Sequence, residues 1–204
     1  MFQAMTVNQP CAISSSDEAA FLLADKLSYL RDSDSIVIGV SSDSLAVSYN
    51  VAQLLNLPFD LRPCRAVKHP GVPGRTIGSV GEDEVLISEK LADIPRNYIY
   101  HQIILIRNAL KAQETKFAQR SNRPTVEGKT VIIVTNVLIT PDSVMATISA
   151  VRKQNPKEII IAAVAGTPNA MARLLASAED VMVLNVDNAG DCFLKHAPIA
   201  VGSF

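Results

Sequence analysis

The sequence predicts an α/β fold in which helices cover both faces of a parallel sheet. After residue 129, apolar runs alternate with segments of helical periodicity, and strands that alternate with helices of this length form right-handed crossovers. An earlier run, Ile36-Val-Ile-Gly-Val40, is almost wholly apolar, as in strands buried on both faces. The chain has 204 residues, of which 48% are hydrophobic, so it can form a substantial core.

The first part of the chain is predicted to add two helices and two strands to this sheet. Apolar residues at helical spacing follow a polar run, which predicts an amphipathic helix over residues 17–30 with a capped start. The apolar run at 36–40 forms a strand, and a helix covers about residues 44–56. A second strand covers residues 59–67.

The middle of the chain interrupts this alternation. A Pro/Gly-rich loop precedes a predicted hairpin of residues 76–80 and 85–88, and a heptad-like apolar stripe then predicts a long helix over 95–119. We expect one domain, 1–204, with residues 68–129 as its appendage. The stripe favours packing against the protein's own core, but an exposed stripe on an arm would favour dimerisation, and we expect a homodimer.

The last part of the chain carries the clearest alternation of elements. The predicted elements are strand 130–135, helix 141–154, strand 158–164, helix 168–177 and strand 180–184.

Composition excludes several classes of function. A net charge of -1 provides no overall field for nucleic acid or an anionic membrane, and no apolar stretch approaches the roughly 18 residues of a spanning helix. The start lacks the pattern of a secretory signal, and Cys11, Cys64 and Cys192 show no metal-ligand spacing. We therefore expect a cytoplasmic protein with reduced thiols, and we predict no cofactor.

The segment 129–143, Lys-Thr-Val-Ile-Ile-Val-Thr-Asn-Val-Leu-Ile-Thr-Pro-Asp-Ser, runs from a strand into a helix, where α/β proteins usually hold phosphate-bearing ligands. The segment resembles the signature loop of type I phosphoribosyltransferases, which has two acidic residues after its strand. Thr135 and Asn136 stand at those two positions, and Val137 replaces the following Gly. The resemblance implies that the acids would bind the ribose hydroxyls of phosphoribosyl pyrophosphate, whereas Thr135 and Asn136 carry no charge.

The second half of this loop corresponds to the part that cradles the 5-phosphate in the family. Thr140 keeps a hydroxyl, and Ser143 takes the position of the final Thr. Pro141 removes an amide donor, and Asp142 adds negative charge where a phosphate needs positive potential. The same residues also form a good helix start with Thr140 as N-cap and Pro141 as the first helical residue, and we favour this structural interpretation over phosphate binding.

The resemblance extends to one bacterial branch of predicted phosphoribosyltransferases and implies a Rossmann-like sheet. The first strand of that branch ends in Gly-x-Pro-Arg-Gly-Gly, which binds pyrophosphate. This chain has Ser41, Ser42, Asp43 and Ser44 in the last four positions, which replaces the Arg and adds a repelling carboxylate. Lys68 keeps a basic ligand-facing position of the family, and the closing segment 199–204 matches the branch's final pattern.

Two hypotheses of function follow. In the first, the chain no longer transfers phosphoribose, and it binds a small phosphate-bearing ligand weakly or associates with an active relative. In the alternative, it is an active phosphoribosyltransferase for a nucleobase-like acceptor, with Lys68, Thr140 and Ser143 on phosphate and Asn136 on ribose. Only this alternative requires Mg²⁺, which Asp43 or Asp142 would hold. A Rossmann dinucleotide site is discouraged because no predicted strand is followed by the closely spaced glycines that let a pyrophosphate approach the backbone.

Overall fold

The computed structural model describes residue 13 and residues 15–73, 75–81, 84–87, 93–117, 123–139 and 141–186, with the backbone alone for residues 112–117. Cys11, Cys192, Thr140 and the closing segment 199–204 lie outside the described residues.

Thirteen helices and strands make up the described part of the chain. In order, they are α1 (Ser16–Lys26), β1 (Ser35–Gly39), α2 (Leu45–Leu55), β2 (Phe59–Leu61), β3 (Arg65–Lys68), β4 (Thr76–Val80), β5 (Val85–Ile87), α3 (Arg96–Phe117), β6 (Thr130–Leu138), α4 (Asp142–Arg152), β7 (Glu158–Gly166), α5 (Pro168–Leu174) and β8 (Asp180–Val186). A short 3-10 turn, Ser28–Leu30, follows α1.

The five-stranded sheet has the order β2-β1-β6-β7-β8, and every neighbouring pair is parallel. Ser35 lies opposite Thr130, which lies opposite Glu158, so the strands begin at one edge, the amino edge, and end at the other, the carboxyl edge. The predicted α/β class is therefore confirmed. Within the described residues, no helix combines the length and apolar character needed to cross a membrane.

Two apolar layers cover the faces of this sheet. Side chains alternate between the faces along each strand, so Ile132 and Val134 pack with α1 and α2. Val131 and Ile133 point the other way and pack with α4 and α5. The long strands β6 and β7 are buried in all but one position each and are mostly apolar, because both of their faces are covered.

The smaller sheet has the order β3-β4-β5 and is antiparallel, which confirms the predicted hairpin. Its core of Val67, Ile77 and Val80 packs against the apolar stripe of α3, including Ile99 and Ile103. The predicted long helix is thus present, and its stripe faces the protein's own core.

The predicted strand over residues 59–67 is wrong. The chain leaves the large sheet after β2 and enters the small sheet at β3, with Arg62-Pro63-Cys64 between them. Pro63 has no N–H for a ladder, and the Asp60 carboxylate accepts from the Arg62 side chain at 3.0 Å, which favours a bend. The helix predicted over 17–30 also ends earlier, at Lys26, and the strand predicted to stop at residue 135 runs on to Leu138.

Candidate functional site

Two segments meet at the carboxyl edge of the parallel sheet. The first is the loop that follows β1 and contains Ser41 to Ser44, and the second is the end of β6 with its connection to α4. Their junction is a hydrogen bond of 2.7 Å, which Asn136 Nδ2 donates to the backbone carbonyl of Asp43. Two positions that the sequence analysis selected from separate motifs therefore contact each other directly.

The extra length of β6 decides which of its two polar residues reaches the first loop. Thr135 and Asn136 both lie within the strand, where successive side chains point to opposite faces. Asn136 shares the face of Val134 and α2, whereas Thr135 shares the face of Ile133 and α4. Both are buried, and only Asn136 bonds to the loop after β1.

The amide oxygen of Asn136 is a buried acceptor without a partner. The side chain is 8% exposed, and its Oδ1 accepts no hydrogen bond from the residues that the structure describes. A buried polar atom left in this state costs free energy comparable to a lost hydrogen bond. A hydroxyl or amine brought to this position would supply the missing donor.

The loop after β1 is closed by its own serines. The Ser41 N–H donates to Ser44 Oγ at 3.2 Å, and the Ser44 N–H donates to Ser41 Oγ at 3.1 Å. Ser44 Oγ also lies 3.0 Å from the Ser41 carbonyl, to which it donates. Ser42 is half-buried and Asp43 is exposed. Amides that turn toward an anion in the family's loop are here partly committed to neighbouring hydroxyls.

Gly39 allows this loop to lie close to α2. A Cβ at Gly39 would stand 2.6 Å from Ser48 Oγ and 3.1 Å from Leu61 Cδ1. Ser48 Oγ in turn donates to the Ser44 carbonyl at 2.7 Å. Gly39 is therefore required here for packing at the start of α2.

The start of α4 is held by groups from outside its own loop. Ser79 Oγ on β4 donates to the Asp142 carbonyl at 2.9 Å, and Arg173 Nη2 on α5 lies 3.6 Å from Asp142 Oδ1. Pro141 is the N-cap residue, so the helix begins one residue later than predicted. The Ser143 carbonyl accepts from the Thr147 hydroxyl inside the helix, at 3.3 Å. Asp142 thus has a cationic neighbour without any ligand.

Lys68 lies in the small sheet rather than at the two loops. Its Nζ donates to Thr76 Oγ1 at 3.0 Å, and its carbonyl accepts from the Tyr98 hydroxyl at 2.9 Å. None of the contacts among the described residues connects Lys68 with Asp43 or Asn136. Its role as a ligand-facing cation stays a prediction.

Sequence reasoning missed Ser79 and Arg173, because both reach Asp142 across long sequence separations. It also did not identify the environment of Cys64, whose Sγ lies 3.4 Å from Thr147 Oγ1. Burial raises the pKa of the Cys64 thiol, and the hydrogen bond with Thr147 only partly opposes this rise. Cys64 is therefore a packing residue rather than a reactive thiolate.

An open groove of about 720 Å³ lies at the opposite end of α4, between Leu86 and the segment 176–179. Its two cations are already paired, Arg152 with Glu179 and Lys153 with Glu84, both at 2.6 Å. The groove therefore offers an anion little uncompensated positive charge, and it contains none of the predicted site residues.

The donor set at the carboxyl edge fits a divalent cation poorly. Among the described residues, no group of three or more His, Cys, Asp or Glu side chains comes together in a way that could hold a metal. Mg²⁺ prefers carboxylate oxygens, but Asn136 supplies only an amide, and Asp142 lies beside Arg173. The acids that the alternative hypothesis assigned to Mg²⁺, Asp43 and Asp142, are not joined by any contact in the described part of the chain.

Fold and site together define a Rossmann-like α/β protein whose candidate ligand loops lie at the carboxyl ends of β1 and β6. The chain belongs to the family of the phosphoribosyl transferase domain, since the model of that family matches residues 14–199.

Proteins of similar sequence support this family membership. Two proteins from strains of Mycobacterium tuberculosis, each described by name as a proposed phosphoribosyl transferase, are 23% identical over 175 residues, which is 82% of this chain and 39% of theirs. The chain thus spans about two fifths of the length of these relatives.

Two solved structures extend the similarity to three dimensions. The crystal structure of TT1426 from Thermus thermophilus is 25% identical with a TM-score of 0.75, covering 93% of this chain and 91% of that one. A purine phosphoribosyltransferase from Pyrococcus horikoshii has the same fold, at 19% identity and a TM-score of 0.51, with 90% and 88% covered.

Proposed function

We propose that this member of the family does not transfer phosphoribose, and that it binds a small ligand weakly or acts by association with other proteins. The observation that carries the proposal is the contact between Asn136 and Asp43, where the family's loop has carboxylates for ribose. An amide that already donates to a neighbouring loop is a poor substitute for a charged sugar clamp. Transfer through a cationic sugar-like transition state depends on such charges.

The other two losses support the same proposal. The loop after β1 has serine hydroxyls in place of a glycine-rich, Arg-containing cradle, and these hydroxyls bond to each other. At the start of α4, Asp142 would repel a phosphate dianion, and Arg173 beside it compensates the carboxylate rather than a ligand. Three separate elements of one reaction are weakened by three different substitutions.

The ligand class that this site would favour is one with neutral hydroxyl or amine donors. Asn136 Oδ1 is the acceptor that such a group would satisfy, which supports a sugar-like ligand over a highly charged diphosphate. A cytoplasmic place in nucleotide metabolism is part of this proposal, on the basis of the family and the reduced thiols. No cofactor is part of it, and Mg²⁺ belongs only to the alternative of an active transferase.

The direct test is calorimetric titration with phosphoribosyl pyrophosphate and Mg²⁺, together with an assay for pyrophosphate release in the presence of a panel of nucleobases. We expect a dissociation constant above about 0.1 mM for phosphoribosyl pyrophosphate and no release of pyrophosphate. Mg²⁺-dependent micromolar binding with turnover would overturn the proposal and establish the active enzyme instead.

Restoring a carboxylate at the ribose-binding position makes the test more specific. The variant Asn136→Asp should bind phosphoribosyl pyrophosphate with Mg²⁺ at least about tenfold more tightly than the wild type, because it restores a carboxylate on the face of β6 that reaches the loop after β1. The matched control, Asn97→Asp, makes the same substitution at an exposed position away from the loops. If the Asn136→Asp variant binds no more tightly than the wild type, the ligand-binding part of the proposal is wrong, and only association with other proteins remains.

A further inference from the structure

The outer face of α3 combines exposed apolar side chains with basic ones. Tyr100, Ile104, Arg107 and Lys111 recur at spacings of four, three and four residues, so they lie on one side of the helix. Tyr100 is 67% exposed and Ile104 is 58% exposed. We call these four residues the basic face. From Arg96 to Lys111 the sequence contains no Asp or Glu, and the one acid of α3, Glu114, follows in the last turn of the helix.

The basic face is separate from the side of α3 that the fold uses. Ile99, Ile103 and Ile106 pack against the small sheet from the neighbouring side of the helix, about a quarter-turn from the basic face. Packing of the helix therefore does not explain why Tyr100 and Ile104 are apolar. Two large apolar side chains aligned on one exposed face are typical of a surface that a partner covers.

The outer face of α1 has the complementary composition. Asp17, Phe21 and Asp25 recur every four residues, and Tyr29 follows in the 3-10 turn. Phe21 is 62% exposed and Tyr29 is 64% exposed. We call these four residues the acidic face. Lys26 lies at its flank and is the basic residue of the last turn of α1.

Further acids near Tyr29 add to the negative potential of this face. Burial is the main reason that the pKa of Tyr29 is raised, and the charges of Asp180 and Glu158 raise it further. The surroundings of the exposed Tyr29, next to α1, are thus acidic, whereas those of the exposed Tyr100, on α3, are basic.

We propose that the basic face of one copy of this chain binds the acidic face of α1 in a second copy. Each face presents two large apolar side chains, and their charges are opposite, which is the complementarity that steers and aligns two protein surfaces. Pairing of two basic faces across a two-fold axis would bring Arg107 and Lys111 against the same residues of the partner. In a two-fold dimer the contact between basic and acidic faces occurs twice, because each copy provides both faces.

Sedimentation velocity with charge-reversed variants tests this pairing. Arg107→Glu and Asp25→Lys should each weaken self-association by at least about tenfold, since each places like charges together. An equimolar mixture of these two variants should associate to within about threefold of the wild type, because opposite charges meet again in both contacts. Association of the wild type should also weaken between about 50 and 500 mM salt.

The matched control is Arg65→Glu, which reverses an exposed arginine on β3 outside both faces and should associate as the wild type does. Unfolding curves of all variants show whether each one is folded. A wild type that stays monomeric up to about 100 µM would overturn the proposal. So would a mixture that fails to associate, or wild-type binding to vesicles of anionic lipid through Arg107 without self-association.

Discussion

The two edges of the parallel sheet are held together by different chemistry. At the carboxyl edge the short contacts are neutral: Asn136 donates to the Asp43 carbonyl, and Ser41 and Ser44 bond to each other. At the amino edge they are charged, with Lys129 and Asp34 at 2.7 Å and Arg152 and Glu179 at 2.6 Å. The difference shows that this chain has short ion pairs where no family ligand is expected, whereas around the ligand loops its short contacts are neutral hydrogen bonds and the ion pair of Arg173 with Asp142 is longer, at 3.6 Å.

The two kinds of contact respond differently to solution conditions. A neutral hydrogen bond contributes about 0.5–1.5 kcal/mol whatever the pH, whereas a partly exposed ion pair contributes roughly 0–1 kcal/mol and weakens with acid and salt. The carboxyl edge should therefore be sensitive mainly to shape, and the amino edge to pH.

The largest effect is expected from shape at the carboxyl edge. Gly39→Val would place side-chain atoms against Ser48 and Leu61, since a Cβ alone would stand 2.6 Å from Ser48 Oγ. Moving the Ser48 hydroxyl away would weaken its hydrogen bonds to the Ser44 and Leu45 carbonyls. We expect a loss of about 1–3 kcal/mol in the free energy of unfolding, measured by urea denaturation.

Gly71→Val is the control for this substitution. Gly71 lies in the exposed loop after β3, where a Cβ would meet nothing closer than 3.8 Å. The free energy of unfolding of Gly71→Val should stay within about 0.5 kcal/mol of that of the wild type. Equal losses for the two variants would show that close packing at Gly39 is not what holds the carboxyl edge together.

An intermediate effect is expected from pH at the amino edge. Burial of Glu179 raises its pKa, but the Ile159 N–H at 2.7 Å and the Arg152 guanidinium outweigh burial, and the net pKa is lowered. Its stabilisation is therefore present above the unfolded-state pKa of about 4.3 and is lost as the pH falls through the folded-state pKa. Glu179→Gln should lose up to about 1 kcal/mol at pH 7 and progressively less towards pH 3.

The difference in the free energy of unfolding between the wild type and Glu179→Gln separates the contribution of Glu179 from those of the other acids. Asp180 acts in the opposite direction, because burial first and Glu158 second raise its pKa. Glu127→Gln, at an exposed position before β6, is the control and should show no such pH dependence. A Glu179→Gln difference that stays constant from pH 7 to pH 3 would contradict the lowered pKa.

Most of the parallel sheet could be predicted because its strands are apolar runs between helical segments. β7 and β8 followed directly from such runs, and the capped start of α1 from Ser15, which accepts from the Glu18 N–H at 3.1 Å. The strand predicted over 59–67 failed because the chain changes sheets at Arg62-Pro63-Cys64, and this change depends on tertiary pairing. The predicted strand over 130–135 was too short for the same reason, since β6 continues to Leu138 only because β7 pairs with it.

The candidate site was predicted in composition but not in geometry. The sequence identified Asn136 and Asp43 separately, because each stands at a position with a family counterpart. Their contact, and the absence of one between Thr135 and the loop after β1 among the described residues, follow from the pleat of a strand that was predicted to end earlier. Ser79 and Arg173 have no local pattern, so only the packing of β4 and α5 on α4 reveals them.

The smallest effect is expected from the serine pair that closes the loop after β1. Ser41→Ala removes the acceptor of the Ser44 N–H, and Ser44→Ala removes the acceptor of the Ser41 N–H, so the double variant loses a shared set of bonds. Each single change should cost about 0.5–1 kcal/mol, and the double change less than their sum, with a coupling near 0.5 kcal/mol. Urea denaturation at pH 5 and pH 8 should return the same coupling, because no titrating group takes part in these bonds. Additive losses would mean that the two serines act independently, and the neutral closure of the carboxyl edge would then rest on Asn136 alone.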